Sequence, residues 1–366
     1  MSKIPYRILL QINNWVNAAT LIGTIFGTGC NMPEQATSGN QATGNAVVAT
    51  VQLASNQVAD VTPITIYGNS DGIVVDSGGN IFYPDADQGV VEKVSSDGTQ
   101  TQFANYGVSG GFATIAIDAS ASIYVAHPWS TITKITADGT VSTFATILNG
   151  NAPRLMTVDP SGNLYYTEMT DESISTNRII KVNPLGVVSV FAGSGRSGYA
   201  NGNGTSASFN NPQALAADSS GNIYVSDVGN FLIRKISPAG DVTTFAGNGI
   251  QGVVDGTGTS ASFYFYAGGE SGGGPIPAYL TFDSYGNLYV GDNAGATGYI
   301  RKITSSGVVT TYCGNGSGTN IDVKGSCIET GVWINNGLAA GPNGSLYFVS
   351  GSSLYGISSA LKFFFP

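Results

Sequence analysis

Charge is scarce in this chain. Of 366 residues only 10% are Asp, Glu, Lys or Arg, and the 14 basic residues never form a run. Nucleic-acid binding draws most of its affinity from clustered Lys and Arg, so a net charge of −9 disfavours a phosphate-rich partner. Histidine is almost missing, His127 being the single one, which removes any mechanism that needs several imidazoles. The three cysteines, Cys30, Cys313 and Cys327, include no CxxC pair and no Cys/His spacing of the kind that holds zinc. HExxH and GxxxxGK[ST] are absent, which leaves no zincin helix or phosphate cradle to argue from.

Glycine, by contrast, is abundant, with 51 residues, and together with Ser, Thr and Asn it marks many tight turns. Residues 209–249, FNNPQALAADSSGNIYVSDVGNFLIRKISPAGDVTTFAGNG, contain four short apolar runs (214–217, 223–225, 232–236, 242–245) separated by turn clusters. That pattern predicts four strands in one unit, and variants of the unit recur. The aromatic of the second strand is Phe82, Tyr124, Tyr165, Tyr224, Tyr289 or Tyr347 in turn. Four-stranded units repeated at such a period predict an all-β, six-bladed β-propeller of four-stranded antiparallel blades. The run 61–68, VTPITIYG, copies the outermost strand of the unit without inner strands before it. It is therefore expected to close the ring as an N-terminal strand in the last blade, where an open edge is a liability; the tail 361–365 competes for that place.

Aromatic spacing changes from 42 and 41 residues to 59, 65 and 58 after the third unit, so the later connections carry inserts. Two of these, FAGSGRSGYANGNGTSASF (191–209) and FAGNGIQGVVDGTGTSASF (245–263), agree at 12 of 19 positions. The third carries Cys313 and Cys327 instead.

The units resemble the NHL repeat from residue 61 to the C-terminus. The fourth unit carries the match on Pro212, Asp218, Gly221-Asn222-Ile223-Tyr224-Val225, Asp227, Asn230, Ile233-Arg234-Lys235-Ile236 and Phe245-Ala246-Gly247; the fifth repeats it with Asp283, Gly286-Asn287-Leu288-Tyr289-Val290, Asp292 and Ile300-Arg301-Lys302-Ile303. The second and sixth are degenerate, with Ala121-Ser122 replacing Gly-Asn and Gly341 replacing the aspartate. The resemblance implies the propeller fold. It leaves the activity open, because NHL propellers serve as binding scaffolds and related propellers as lyases and lactonases.

The amino terminus has Lys3 and Arg7, an apolar stretch at 18–26, then Gly27, Thr28, Gly29 and Cys30. Residues 1–30 are read as a leader resembling a bacterial lipoprotein signal, with Cys30 the acylated residue, against plain secretion or an uncleaved chain. The polar stretch 31–60 is read as a tether and 61–366 as the propeller, which makes the expected location the cell envelope or the outside. In an exported protein the remaining Cys313 and Cys327 suit a disulfide, with two unpaired thiols as the alternative.

Second strands end in Asp85, His127, Glu168, Asp227, Asp292 and Ser350, three residues after each aromatic. Glu168, Asp227 and Asp292 are the candidate metal ligands, since an oxygen-rich ring suits Ca²⁺; the competing reading is that each acid caps its own turn. Glu168 with Asp171 and Glu172 stands apart on the longest turn, and His127 is a candidate base beside it. Asp76, Asp118, Asp159, Asp218 and Asp283 read as turn formers. Exposed aromatics of the inserts, Tyr199, Tyr264, Tyr266 and Trp333, are the candidate ligand anchors. The leading functional expectation is a monomeric binding scaffold that presents its Gly-rich loop face to a protein or glycan, without catalytic residues and with the membrane reached only through a lipid anchor. The alternative is a metal-dependent hydrolase or lyase acting on a small or carbohydrate-like substrate at the propeller axis.

Overall fold

The computed structural model describes residues 20–25, 47–52, 64–65, 70–127, 131–147, 151–170, 175–266, 278–294, 297–316, 332, 334, 336–350 and 353–357. Two compact units divide the chain at Ser55. In the first, Thr20–Ile25 pairs antiparallel with Val47–Gln52. The second unit is a β-propeller.

Five blades, not the six that the repeat predicted, are each built among the described residues from four consecutive antiparallel strands. Their inner strands are Val74–Val75, Ala113–Ile117, Ala152–Val158, Pro212–Ala217 and Leu280–Phe282. Their outer strands are Gln100–Asn105, Val141–Thr146, Val188–Ala192, Asp241–Ala246 and Val308–Cys313. A further four-stranded sheet combines Leu338–Ala340, Leu346–Ser350 and Ser353–Ile357 with Ile64–Thr65 on its outer side. Each inner strand packs against the next, and Leu338–Ala340 lies between the inner strands of the fifth and first blades.

The repeated residues each have a physical task. The acid that ends an inner strand accepts two backbone N–H groups on one oxygen: Asp218 Oδ1 takes them from Ser220 and Asn222, both at 2.9 Å. Its other oxygen accepts the Asn222 amide at 2.8 Å and the Tyr224 hydroxyl at 3.4 Å. Asp159 and Asp283 do the same with Asn163 and Tyr165, and with Asn287 and Tyr289. Asp76 and Asp118 also take backbone N–H groups of their own turns. The turn-former reading of these five acids is therefore what the structure shows. The turn needs φ near +80° one residue before the Asn, which glycine supplies at Gly162, Gly221 and Gly286 without Cβ strain; the degenerate second unit puts Ala121 there at φ 58°.

Each second-strand aromatic meets the aromatic of its blade's outer strand edge to face. Centroid distances are 4.9 Å for Tyr124–Phe144 and Tyr224–Phe245, 5.0 Å for Tyr165–Phe191, and 5.1 Å for Phe82–Phe103 and Tyr289–Tyr312. Such pairs add about 0.5–1.5 kcal/mol to their burial. A third-strand lysine covers the same ring in each blade: Lys93, Lys134, Lys181, Lys235 and Lys302. The aromatic pair and the Lys of the repeat are thus one stack, with the lysine Nζ 5.2–5.8 Å from the ring centroid as a cation–π partner.

Candidate functional site

The two GTSASF inserts fold alike and turn away from the axis. Gly202–Asn203 pairs with Val242 and Asp241, and Gly256–Thr257 with Val309 and Val308, adding a fifth strand to the outer edge of the fourth and fifth blades. The returning segment buries Phe209 and Phe263 completely, with the guanidinium of Arg234 over Phe209 and that of Arg301 over Phe263. Arg234 is itself fully buried and bonds to Ser208 O (3.2 Å), Ala200 O (3.2 Å), Asn201 Oδ1 (2.7 Å) and Asp227 Oδ2 (3.0 Å). Arg301 repeats this on Ser262 O, Val254 O, Asp255 and Asp292.

This decides what two of the three candidate metal ligands do. Asp227 accepts Asn210 N–H (2.7 Å) and Asn230 Nδ2 (2.8 Å) besides Arg234, and Asp292 accepts Tyr264 N–H (2.7 Å) besides Arg301. Burial pushes both carboxyls up to about 6, against the pull of these donors. Each acid is spent within its own blade on fastening an insert. Glu168 is buried on Leu164–Met169 opposite Pro153, with its backbone carbonyl bonded by Thr176 Oγ1 at 3.2 Å. Among the described residues no group of three or more His, Cys, Asp or Glu side chains comes together, so Glu168, Asp227 and Asp292 do not meet and the expected acidic ring does not form. His127 turns its Nε2 to the Gly110 carbonyl; Asp171 and Glu172 lie outside the described residues. Tyr199 (74% exposed) and Tyr264 (38%) are open on the inserts, and Tyr266 is half-buried. Trp333, Cys30 and Cys327 lie outside the described residues.

The polar group that does assemble was not anticipated. The inner strands enclose an axial cavity of about 220 Å³, lined on five sides by residues 72–75, 115–117, 155–158, 214–217 and 279–282 and on the remaining side by 338–340. The short strand Ser70–Asp71 precedes the first blade and pairs in parallel with Ala113–Thr114 of the second, which brings Asp71 to the head of the cavity. There Tyr279, which begins the fifth blade's lining, donates its hydroxyl to Asp71 Oδ1 at 2.5 Å from 208 residues away. Arg154, one residue above Leu155 of the lining, adds a positive charge beside the same carboxyl. Asp71 keeps some solvent contact, yet enclosure raises its pKa, with Arg154 and the Tyr279 hydroxyl pulling in the other direction. Burial, Asp71's charge and the hydrogen bond together push the Tyr279 phenol well above its usual value, despite Arg154. Thr114 and Gln213, each one step above the lining on the inner strands of the second and fourth blades, are buried, and Thr114 Oγ1 and Gln213 Oε1 have no hydrogen-bond partner among the described residues.

An acid with a raised pKa, a phenol and a guanidinium at the mouth of a cavity can bind a polar ligand and move a proton to or from it. The only signals in the sequence were negative: Asp71, Arg154 and Tyr279 stand at the heads of inner strands where no repeated residue is required.

Residues 209–236 match the model of the NHL repeat. No curated protein matches the chain. Among solved structures, the chain is similar to a structural-genomics protein of unknown function from Bacteroides thetaiotaomicron, with 16% identity and a TM-score of 0.61 over 95% of this chain and 98% of that one. It is also similar to a gluconolactonase from Xanthomonas campestris (14% identity, TM-score 0.52, 83% and 95% covered). A third likeness is to regucalcin, a calcium-binding protein from Agrobacterium tumefaciens (15% identity, TM-score 0.52, 83% and 93% covered). At these identities the likeness establishes the fold.

Proposed function

Starting from a chain that carries an NHL repeat on a β-propeller, we propose that it is a hydrolase or lyase acting on a small, carbohydrate-like substrate at the axial mouth. The observation that carries this reading is the Asp71–Tyr279–Arg154 group over the cavity. Asp71, its protonated form favoured by enclosure, serves as the proton donor or acceptor. Arg154 faces the oxygen on which negative charge develops, where a fixed cation in a water-poor site is most effective. Tyr279 fixes the carboxyl and relays its proton. The names of two similar structures, a gluconolactonase and a calcium-binding regucalcin, agree with a small-molecule site in this kind of fold. The reading assigns no metal, and Ca²⁺ enters only as an additive to be tested. We further take the sheet of Leu338–Ala340, Leu346–Ser350 and Ser353–Ile357 as a sixth blade closed by Ile64–Thr65, and the protein as exported. The Cys313–Cys327 disulfide is part of the same proposal, supported by Cys313 being buried and not a free thiol.

The test is turnover of a panel of small cyclic esters and sugar-acid glycosides, with and without Ca²⁺, by the protein and by Arg154→Ala and Asp71→Asn. About 10²-fold or greater loss in both variants is expected, the usual weight of one acid–base or charge-stabilising group. Undiminished turnover in both would remove the site. The second reading, a scaffold that captures a protein or glycan, is favoured by the exposure of Tyr199 and Tyr264. It requires capture to be lost in Tyr199→Ala/Tyr264→Ala with the melting temperature unchanged.

A further inference from the structure

The inner strands change character at their heads. One step above the cavity lining, the positions in ring order are Asp71, Thr114, Arg154, Gln213, Ala278 and Gly337. The first tier of the lining below them holds Gly72, Ile115, Leu155, Ala214 and Leu338, with Tyr279 on the fifth blade. Polar side chains from four successive strands therefore stand on a largely apolar tier. The two heads without a long side chain, Ala278 and Gly337, lie between Gln213 and Asp71, and on this side Tyr279 brings its hydroxyl to Asp71 Oδ1 at 2.5 Å.

Two of these heads break the rule that buried polar groups are bonded. Thr114 and Gln213 are both buried, and neither Thr114 Oγ1 nor Gln213 Oε1 has a partner among the described residues. Asp71 and Thr114 are register partners on adjacent strands, so their side chains leave the same face and the Thr114 hydroxyl belongs beside the carboxyl. Gln213 is held by its other groups. Its carbonyl accepts Thr167 Oγ1 at 2.8 Å, its Nε2 donates to Asn211 Oδ1 at 3.1 Å, and Asn211 N–H donates to Asn177 Oδ1 at 2.8 Å. Asn177 and Asn211 have φ of 56° and 54°, a sparsely populated region whose non-glycine occupants cluster at ligand sites. The amide nitrogen is thus used and the oxygen is left over, an acceptor that only a hydrogen-bond donor can satisfy. Both free oxygens are screened from water, so each side chain turns toward the mouth to meet a ligand, a rotation that breaks no bond of either oxygen.

Taking the axial mouth as the working site of the hydrolase or lyase proposed above, we propose that Thr114 and Gln213 determine its specificity and that the substrate is a polyhydroxylated acid of one sugar unit, held as its lactone or ester. Gln213 Oε1 accepts one substrate hydroxyl, and Thr114 Oγ1 bonds a second substrate oxygen next to Asp71. The cavity agrees in size, since about 220 Å³ lies below the roughly 300 Å³ at which drug-sized sites begin. It also agrees in lining. The inner strands of the first, third, fourth and fifth blades end their sheets on the axial side, which turns backbone N–H and C=O groups toward the cavity and suits hydroxyls better than an alkyl chain. Stability gives no reason for the two polar heads, because replacing an unpaired buried polar group by an apolar one of the same shape is neutral or stabilising. Selectivity does, because an analogue without the hydroxyl leaves the buried acceptor unpaired and is rejected for it.

The experiment sets five- and six-carbon aldonates and aldonolactones beside the straight-chain acids and unsubstituted lactones of the same length. Binding of the acids is read by calorimetry and turnover of the lactones by kcat/KM, in the full chain and in Gln213→Met, Thr114→Val and Thr114→Ser. The wild type should prefer the hydroxylated member by about 10²-fold or more. That preference should shrink about tenfold or more in Gln213→Met and in Thr114→Val and return in Thr114→Ser, while the melting temperatures of the Met and Val variants equal or exceed that of the wild type. A wild type that binds both members alike, or binds neither, overturns the proposal without recourse to any variant. So does a preference that survives both Gln213→Met and Thr114→Val, or a melting temperature that falls in both, which would make the two oxygens structural. The two readings separate cleanly. Hydroxyl-dependent binding without turnover keeps the subsite and removes the hydrolase or lyase, whereas turnover without hydroxyl preference keeps the enzyme and removes the subsite.

Discussion

Replacing Arg234 by alanine tests how the insert of the fourth blade is held. The guanidinium is fully buried and holds four oxygens, Ser208 O, Ala200 O, Asn201 Oδ1 and Asp227 Oδ2, while covering the buried Phe209 ring. Its removal strands the Asp227 carboxylate in a site with no solvent and opens space over Phe209. Breaking one side of a buried ion pair costs roughly 3–5 kcal/mol. At about 2–4 °C per kcal/mol for domains of 150–250 residues, the melting temperature should fall on the order of 10 °C. The loss should depend on pH in a stated direction. Burial already holds the Asp227 pKa at about 6, above the 3.8 of an unhindered aspartate, and without Arg234 it rises further. A carboxyl whose pKa is higher in the folded state binds its proton more tightly there. Its stability contribution is present below the unfolded pKa and is lost as pH rises through the folded one. Urea unfolding should therefore find the variant worst near about pH 7.5 and partly recovered near about pH 4.5, with proteolysis at 193–211 following the same course. A loss below about 1 kcal/mol, or one that ignores pH, would show that the pair is not the fastening described.

The remaining predictions use the same measurements. Asp71→Asn should raise stability at neutral pH, because the folded-state pKa of Asp71 is raised by enclosure and the charge it carries there is a burden. The gain should shrink towards pH 4, and destabilisation at neutral pH would contradict it. Gly247→Ala should cost about 1–3 kcal/mol in urea unfolding, since φ is +99° and a Cβ would stand 2.5 Å from the Phe231 carbonyl oxygen; a neutral substitution would refute the steric reading of the recurrent Phe-Ala-Gly. Tyr165→Phe should lose about 0.5–1.5 kcal/mol by removing the 3.1 Å bond to Asp159, and a larger loss would mean that the ring has shifted. Non-reducing peptide mapping should find Cys313 joined to Cys327, and two free thiols would end that proposal.

The blades were readable because each repeated residue answers to its neighbours in the same unit. Asp218, Asn222 and Tyr224 lie within six residues of one another, and the Tyr224–Lys235–Phe245 stack needs only three adjacent strands. The axial group obeys no such local constraint. Asp71 lies ahead of the first repeat, and only ring geometry brings it to Tyr279, 208 residues on. Periodicity cannot reveal residues that differ from blade to blade because the blades do not need them. The second-strand acids fall between these cases, and a closer comparison of units separates them. The position seven residues after Asp227 is Arg234, and its counterpart in the fifth blade is Arg301. The same place holds Glu92 in the first blade, Thr133 in the second and Ile180 in the third. The acid and the arginine occur together only in the two units that follow a GTSASF insert, so the pair varies with the insert and not with the repeat. Glu92, which faces Asp85 as a like charge and has its own pKa raised by burial and by that neighbour, makes the contrast explicit. Where no insert has to be fastened no cation is present, and Asp85 is satisfied locally by the Gln88 backbone and side chain at 3.1 and 2.7 Å. A ring of similar acids read as one cation site is thus a set of separate local solutions, and what sorts them is the partner each blade supplies.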